Sequence, residues 1–212
     1  MIGHQINKNL LKSKIKRYRK IESQKNILIC SQPFSNKNFF LRTIKNFFKE
    51  IFKLKKEFNY YYRSHPSENK KIPYLINKFF KKNKIKINEV KSKDLYKDLL
   101  NKDLIVTCFS SIIVDFAKIN AVSNKPLGMI LSLMYDKELK FYYKKINRLN
   151  FLPFEKNGLV EVISNPAEIS KKIYSSFSRS KHQQLWLKSK SLLNNSRGRN
   201  YKKLNKLILN LI

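Results

Sequence analysis

The chain has 212 residues, a length that holds one ordinary domain with extensions. It carries 46 Lys and Arg against 14 Asp and Glu, a formal net charge of +32. Its four glycines exclude the Gly-rich phosphate loops of the dinucleotide-binding and P-loop kinds. The charge is mostly lysine, 38 of the 46, whereas arginine is the better side chain for recognising phosphates and bases. Compositional bias and binding of a polyanion both explain this charge, so a basic nucleic-acid-binding module remains an alternative.

Residues 1–25 are predicted to form a basic N-terminal helix or linker. Apolar residues recur at helical spacing within 7–21, among lysines and arginines. A packed terminal helix is one interpretation of this pattern, and a helix that docks on a membrane surface or a partner is the other.

The next segments alternate between strand and helix patterns. The continuous apolar run 26–31 predicts a strand buried on both faces, which Gln32-Pro33 ends. An aromatic stripe at helical spacing predicts a core helix over 39–52, and 58–63 predicts the second strand. His65-Pro66 follows that strand, and the proline predicts an extended rather than helical backbone at His65. The next helix is predicted to begin at Pro73 and to run to about residue 80.

The alternation continues through the rest of the chain. Strands are predicted for 85–90, 104–107, 127–130 and 159–163, and helices for 94–100, 112–119 and 136–146. Asn165-Pro166 predicts a cap and first turn for a helix over 166–177. Residues 182–193 and 200–212 are predicted to be amphipathic helices. This order predicts an α/β fold with a single Rossmann-like, doubly wound parallel sheet over 26–180 and a C-terminal helical extension over 181–212.

Two cysteines, Cys30 and Cys108, lie in or beside predicted buried strands and are expected to be reduced core thiols. The sequence contains no run of 18 apolar residues, so no transmembrane helix is predicted. The first 26 residues also lack the apolar centre of a secretion signal. A cytoplasmic protein is therefore expected, either free or peripheral at the inner face of the cytoplasmic membrane.

Two polar motifs follow predicted strands: His65-Pro66 follows the second, and Ser110-Ser111 follows the strand 104–107. In open α/β sheets, ligands bind at the carboxyl edge of the strands, and a helix N-terminus there suits a phosphate. We therefore expect His65 and Ser110 to approach each other at one sheet edge, around an anionic nucleotide-type ligand. Glu68 is expected to orient His65 or to bind a ribose hydroxyl. The alternative is that the serines only cap the helix that follows and that His65 is structural.

Segments 62–68 and 108–111 resemble the HP and SS motifs of bacterial sialyltransferases and polysialyltransferases, which are GT-B glycosyltransferases. The resemblance covers about residues 26–180. It implies that His65 contacts the donor phosphate and assists the leaving group, that Ser110 and Ser111 bind the same phosphate, and that Pro66 and Glu68 belong to the donor site. Segment 110–116 also resembles the glycerophosphotransferases, which use CDP-glycerol.

The resemblance implies a donor-binding domain, half of a GT-B fold, that transfers a sialic-acid-like sugar from a CMP-sugar. The setting would be synthesis of surface polysaccharide or lipooligosaccharide. A CDP-glycerol glycerophosphotransferase is the alternative within the family. The expected partners are a nucleotide sugar, a glycan or lipid-linked glycan acceptor and, weakly, an anionic membrane, with no specific nucleic acid. No cofactor beyond the donor is expected, and no protein-held metal, because the carboxylates do not cluster.

One departure from the GT-B pattern concerns the acceptor half, which comes first in such enzymes and carries an acidic general base. Here about 25 residues precede the first predicted strand, and Glu22 is their only carboxylate. Either a separate acceptor-domain polypeptide supplies that half, or the chain is a noncatalytic, truncated remnant.

Overall fold

The computed structural model describes residues 24–34, 37–54, 58–69, 71–90 and 94–194. The helices predicted for 7–21 and 200–212 lie outside these ranges, as does Glu22.

Within the described residues, six strands form one sheet in which every neighbouring pair is parallel. The strand order is β3-β2-β1-β4-β5-β6. The direction in which successive strands are added to the sheet reverses between β1 and β4. This order confirms the predicted Rossmann-like, doubly wound fold. The strands are β1 Lys25–Cys30, β2 Phe58–Arg63, β3 Ile87–Glu89, β4 Leu104–Thr107, β5 Met129–Leu133 and β6 Glu161–Ile163.

Helices connect the strands and flank the sheet. They are α1 Asn38–Lys53, α2 Lys71–Lys82, α3 Leu95–Leu100, α4 Ile112–Val122, α5 Lys137–Asn147, α6 Pro153–Lys156, α7 Ile169–Ser176 and α8 Arg179–Asn194, with a 3₁₀ turn at Pro166–Glu168. The predicted aromatic stripe forms the buried face of α1, where Phe40, Phe47 and Phe48 are fully buried. Phe48 packs edge-on against Phe80 of α2, with ring centroids 4.5 Å apart. The stripe is therefore core, as its spacing predicts.

The helix predicted to begin at Pro73 begins two residues earlier, at Lys71. The Asn69 side chain accepts a hydrogen bond from the Lys71 N–H at 2.9 Å and so caps this helix. Proline is tolerated at position 73 because the first-turn N–H groups have no partner within a helix.

The strand predicted for 127–130 is displaced, because β5 begins only at Met129. A Cβ on Gly128 would lie 2.4 Å from the Asp103 carbonyl oxygen, so the two backbones approach too closely for any side chain. Met129 N–H then donates to that same carbonyl at 2.9 Å and starts the pairing. The strands predicted for 58–63 and 104–107 have the predicted bounds, and the other predicted bounds differ by at most three residues. The short helix α6 has no counterpart among the predictions.

Helix α8 packs against α4. The Trp186 indole N–H donates to the Ser123 carbonyl at 3.1 Å, and the Lys181 ammonium lies 2.6 Å from the Glu161 carboxylate. These contacts join the first part of the predicted C-terminal extension to the sheet and its helices. The boundaries at residues 25 and 180 stay predictions.

Both cysteines are free and buried, as predicted. Burial raises the pKa of Cys30 to about 12 and also raises the pKa of Cys108, so both remain protonated near neutral pH. Across the described ranges, no helix is both long and apolar enough to span a bilayer.

Candidate functional site

The loops after β1, β2 and β4 leave the same edge of the sheet. Cys30, the last residue of β1, pairs with Arg63 at the end of β2, and Ile29 pairs with Val106 of β4. The three strands therefore end at the same level, with β1 in the middle. Because neighbouring strands lie about 4.8 Å apart, the His-Pro loop and the Ser-Ser turn begin roughly 10 Å apart. The fold thus brings both motifs to one edge, at the crossover where α/β sheets bind ligands.

The His-Pro loop is a tight turn that fixes the tautomer of His65. Glu68 N–H donates to the His65 carbonyl at 2.9 Å, with Pro66 at the second position of the turn, where proline is favoured. Ser67 N–H donates to His65 Nδ1 at 3.1 Å. Nδ1 is therefore an acceptor, which leaves the proton of the neutral ring on Nε2. His65 can offer that Nε2–H to a ligand.

The electrostatic surroundings of His65 favour the neutral ring. Partial burial lowers the pKa of His65 below its usual value of 6.5, and the Glu68 carboxylate opposes this shift. Protonation would also place a hydrogen on Nδ1 and remove the acceptor that Ser67 N–H now uses. His65 is consequently a neutral hydrogen-bond donor near pH 7, which can gain charge when an anion binds beside it.

The Glu68 carboxylate joins the loops after β1 and β2. One oxygen, Oε1, accepts hydrogen bonds from the Tyr62 hydroxyl at 2.6 Å and from the Ser31 hydroxyl. The other, Oε2, is buried and has no partner among the described residues. Glu68 does not hydrogen-bond the His65 ring, so it positions His65 through the loop and acts on the ring only by its charge. Whether Oε2 meets a ribose hydroxyl stays a prediction.

Two positioning residues of this network, Ser31 and Tyr62, are absent from the predicted site. Ser31 directly follows β1, and Tyr62 is only 2% exposed on β2. A polar residue at the carboxyl end of a buried strand was the available signal for Ser31. Tyr62 offered no comparable signal, because a buried tyrosine on a strand is ordinarily core.

Gln32 ties β1 to β4 across the crossover. Its side-chain amide donates to the Thr107 hydroxyl at 2.7 Å, and both residues are buried. In the sequence Gln32 shows only as part of the Gln-Pro stop after β1. In the structure it joins the start of the loop after β1 to the end of β4.

The Ser-Ser turn opens helix α4, and the two serines differ in role. The Ser110 hydroxyl accepts from the Ile112 N–H at 3.3 Å, whereas the exposed Ser111 makes no capping hydrogen bond with its side chain. The N–H groups of Ser110 and Ser111 meet no acceptor within the described part of the chain. Free N–H groups at a helix start, with the positive end of the helix dipole, suit an anion.

Aromatic rings form a wall beside the Ser-Ser turn. Phe34, after β1, stacks on Phe109, with ring centroids 4.6 Å apart, and Phe109 also meets Tyr143 of α5 at 4.8 Å.

Asp115 lies one turn into α4, where burial raises the pKa of its carboxyl and the Lys118 ammonium, 3.9 Å away, opposes that shift. The described residues contain no group of three or more His, Cys, Asp or Glu that could hold a metal ion.

A protein-family model described as CDP-glycerol:poly(glycerophosphate) glycerophosphotransferase matches residues 9–210. No curated protein matches the chain significantly. Among solved structures, a protein described as a UDP-N-acetylglucosamine 2-epimerase from Listeria monocytogenes aligns with a TM-score of 0.52 and 12% identity, over 82% of this chain and 41% of its own.

Two structures of the wall teichoic acid polymerase TagF also align. One has a TM-score of 0.49 and 17% identity, over 87% of this chain and 42% of its own. The other, which carries a substitution and was soaked with CDPG, has a TM-score of 0.48 and 18% identity, over 87% of this chain and 41% of its own. The chain therefore spans less than half the length of the solved proteins that it resembles.

Proposed function

Because the chain belongs to the CDP-glycerol:poly(glycerophosphate) glycerophosphotransferase family, we propose that it binds the pyrophosphate of CDP-glycerol at the carboxyl edge between β1 and β4. One observation carries the proposal: the His-Pro loop and the start of α4 flank β1 at the crossover of the sheet. The family match favours CDP-glycerol over the CMP-sialic-acid donor that the HP and SS motifs imply.

Both donors release CMP, which explains why one pair of motifs serves either chemistry. In glycerophosphate transfer, an acceptor oxygen bonds to the glycerol-bearing phosphorus while the bridge to the cytidine-bearing phosphate breaks. CMP leaves with the electron pair of that bridge. His65 Nε2–H donates to the leaving phosphate, and a proton there offsets the charge that it gains.

The start of α4 holds the same phosphates by a different means. The N–H groups of Ser110 and Ser111 and the exposed Ser111 hydroxyl donate hydrogen bonds to phosphate oxygens. The Ser110 hydroxyl keeps its bond to Ile112 N–H, so it donates its own hydrogen while it accepts that one. The hydrogen bond from Gln32 to Thr107 links the loop after β1 to the end of β4, next to this helix start.

Transfer also needs a part that binds the acceptor and removes its proton. The chain spans less than half of the solved chains that it resembles. We therefore assign donor binding to this chain itself and transfer to the chain together with an acceptor-binding part. A noncatalytic remnant would bind the donor without turnover in any such combination, whereas a working transferase half would release CMP when an acceptor-binding part is supplied.

Calorimetric titration with CDP-glycerol, CDP, CMP, CMP-sialic acid and UDP tests the donor. CDP-glycerol and CDP should bind more tightly than CMP, because the second phosphate adds contacts with α4. His65→Ala and the double change Ser110→Ala/Ser111→Ala should each weaken CDP binding by roughly ten- to hundredfold, the effect of losing a hydrogen bond to a charged group.

His182→Ala is the matched histidine control, because His182 lies on α8 and contacts the Ser176 carbonyl at 2.6 Å, away from the crevice. Its affinity for CDP should equal that of the unchanged protein. The proposal fails if no cytidine nucleotide binds at millimolar concentration. It also fails if UDP binds as well as CDP and His65→Ala lowers only the melting temperature.

A further inference from the structure

A cavity of about 320 Å³ lies between α5 and residues 149–155, beside the outer strand β6. We name it the α5 cavity. Its volume is at the lower end of the range of small-ligand sites. Its lining combines apolar side chains with five polar residues: Lys140, Lys144, Asn150, Glu155 and Ser164.

The charged groups that line the α5 cavity do not neutralise one another. The Lys140 ammonium donates one hydrogen to the Ser164 carbonyl at 3.2 Å, which leaves its other donors to a ligand. Within the described ranges, neither Lys144 nor Glu155 forms an ion pair. Two ammonium groups and one carboxylate therefore share a cavity and stand far enough apart to admit a ligand between them.

The rim of the α5 cavity adds positive charge and aromatic rings. The Lys156 ammonium lies 3.7 Å from the centre of the Phe151 ring, which lines the cavity. Phe141 of α5 also lines it and is 70% exposed. The cavity thus offers donors for an anion, a carboxylate and an amide for hydroxyl groups, and ring surface for carbon atoms.

The α5 cavity adjoins the donor crevice through a shared tyrosine. The Tyr143 ring meets the ring of Phe109, directly before the Ser-Ser turn, at 4.8 Å, and the Tyr143 hydroxyl donates to the Phe151 carbonyl at 3.1 Å. Ser164, which lines the cavity, directly follows β6. The cavity therefore lies along the same carboxyl edge as the Ser-Ser turn, and β4 and β6 are about 10 Å apart. A short phosphodiester chain can reach from the cavity to the start of α4.

We propose that the α5 cavity binds a polyol-phosphate chain, with a phosphate between Lys140 and Lys144 and hydroxyl groups at Glu155 and Asn150. The two lysines are four positions apart on α5 and so lie on the same side of the helix. Inorganic phosphate matches only the lysines, and an uncharged sugar matches only the carboxylate and the amide. A polyol phosphate satisfies both sets of groups.

The identity of the polyol rests on the proposed function. With CDP-glycerol as the donor, the chain in the α5 cavity is a glycerophosphate polymer, the acceptor or product of the transfer. The cavity then holds one stretch of this polymer beside the crevice that holds the donor phosphates.

Calorimetric titration of the full chain without nucleotide tests the α5 cavity, with a glycerol phosphate trimer as the probe. Lys140→Gln/Lys144→Gln should weaken trimer binding by at least about tenfold, the effect of losing a hydrogen bond to a charged group. The matched control is Lys78→Gln/Lys82→Gln, an exposed pair with the same spacing on α2, at the other end of the strand order. An equal loss in both double variants would mean attraction by total charge and would overturn the proposal.

Glu155→Gln separates recognition of hydroxyl groups from attraction of charge, with inorganic tripolyphosphate as the second probe. Loss of a charged acceptor should weaken trimer binding roughly fivefold. The same change should strengthen tripolyphosphate binding, because a repelling charge is removed. Glu89→Gln, at an exposed carboxylate on β3, should not weaken trimer binding. Stronger binding of both probes by Glu155→Gln would refute the hydroxyl contact and the proposal with it.

The α5 cavity and the donor crevice can be told apart in the same titrations. His65→Ala, which should weaken CDP binding, should leave trimer affinity unchanged. Trimer affinity that falls in His65→Ala and not in the Lys140/Lys144 variant would place the chain in the crevice and overturn the proposal. A chain that binds CDP but no trimer refutes only the cavity proposal. A chain that binds the trimer but no cytidine nucleotide refutes the proposed donor and leaves the cavity as a polyol-phosphate site.

Discussion

The Tyr62 hydroxyl offers the sharpest test of the Glu68 network, because Tyr62→Phe removes one oxygen and leaves the ring in place. Tyr62 is 2% exposed, and its hydroxyl lies 2.6 Å from the Glu68 carboxylate. A hydrogen bond to a charged group contributes about 1.5–3 kcal/mol to the free energy of unfolding. For a chain of this length, that loss lowers the melting temperature by about 3–12 °C.

Tyr60 provides a matched control on the same strand. It is 4% exposed, and no hydrogen bond joins its hydroxyl to another residue in the described part of the chain. Tyr60→Phe should therefore change the free energy of unfolding by less than about 0.5 kcal/mol, or raise it slightly. In a Glu68→Leu background, Tyr62→Phe should likewise cost little, because the hydroxyl has already lost its partner.

Urea denaturation of the four single and double variants measures these differences, and an unchanged slope indicates that the unfolded state is the same. CDP affinity should fall in Tyr62→Phe as well, because the Glu68 contact holds the loop of His65. Equal losses for Tyr60→Phe and Tyr62→Phe would refute the reasoning. A Tyr62→Phe loss that persists undiminished in the Glu68→Leu background would refute it too.

Three further predictions follow from particular residues. Gly128→Ala should lower the free energy of unfolding by about 1–3 kcal/mol, because its Cβ would overlap the Asp103 carbonyl; an unchanged urea midpoint would contradict this. Burial lowers the pKa of His65, so just below pH 6.5 the unfolded chain binds more protons and stability falls with falling pH; His65→Gln should flatten that slope in denaturation curves. Exposed lysines occur on α1, α2, α5, α7 and α8, so binding to duplex DNA should be independent of sequence and collapse with salt in a fluorescence anisotropy titration; a preference that survives physiological salt would favour the nucleic-acid alternative.

Local sequence patterns were enough to predict the six strands, most of the helices and the edge of the sheet at which the polar motifs lie. The apolar run of β1 and the aromatic stripe of α1 predict which residues are buried. They do so because the spacing of buried positions can be read within a single segment. His65 and Ser110 could be assigned to the carboxyl edge because parallel strands joined by helices end on one side. The error at β5 arose because the close approach of Gly128 to Asp103 is a contact between distant segments.

Which polar groups meet depends on how distant segments come together in the folded chain. Glu68 bonds Ser31 and Tyr62 instead of the His65 ring, and Gln32 reaches Thr107, 75 positions away in the chain. A cavity of about 320 Å³ likewise forms where α5, β6 and residues 149–155 converge. Such partners depend on which strands become neighbours, and the strand order β3-β2-β1-β4-β5-β6 emerges only when the whole core packs. Local pattern fixes what each segment buries, whereas the geometry of a site depends on segments that meet only in the folded chain.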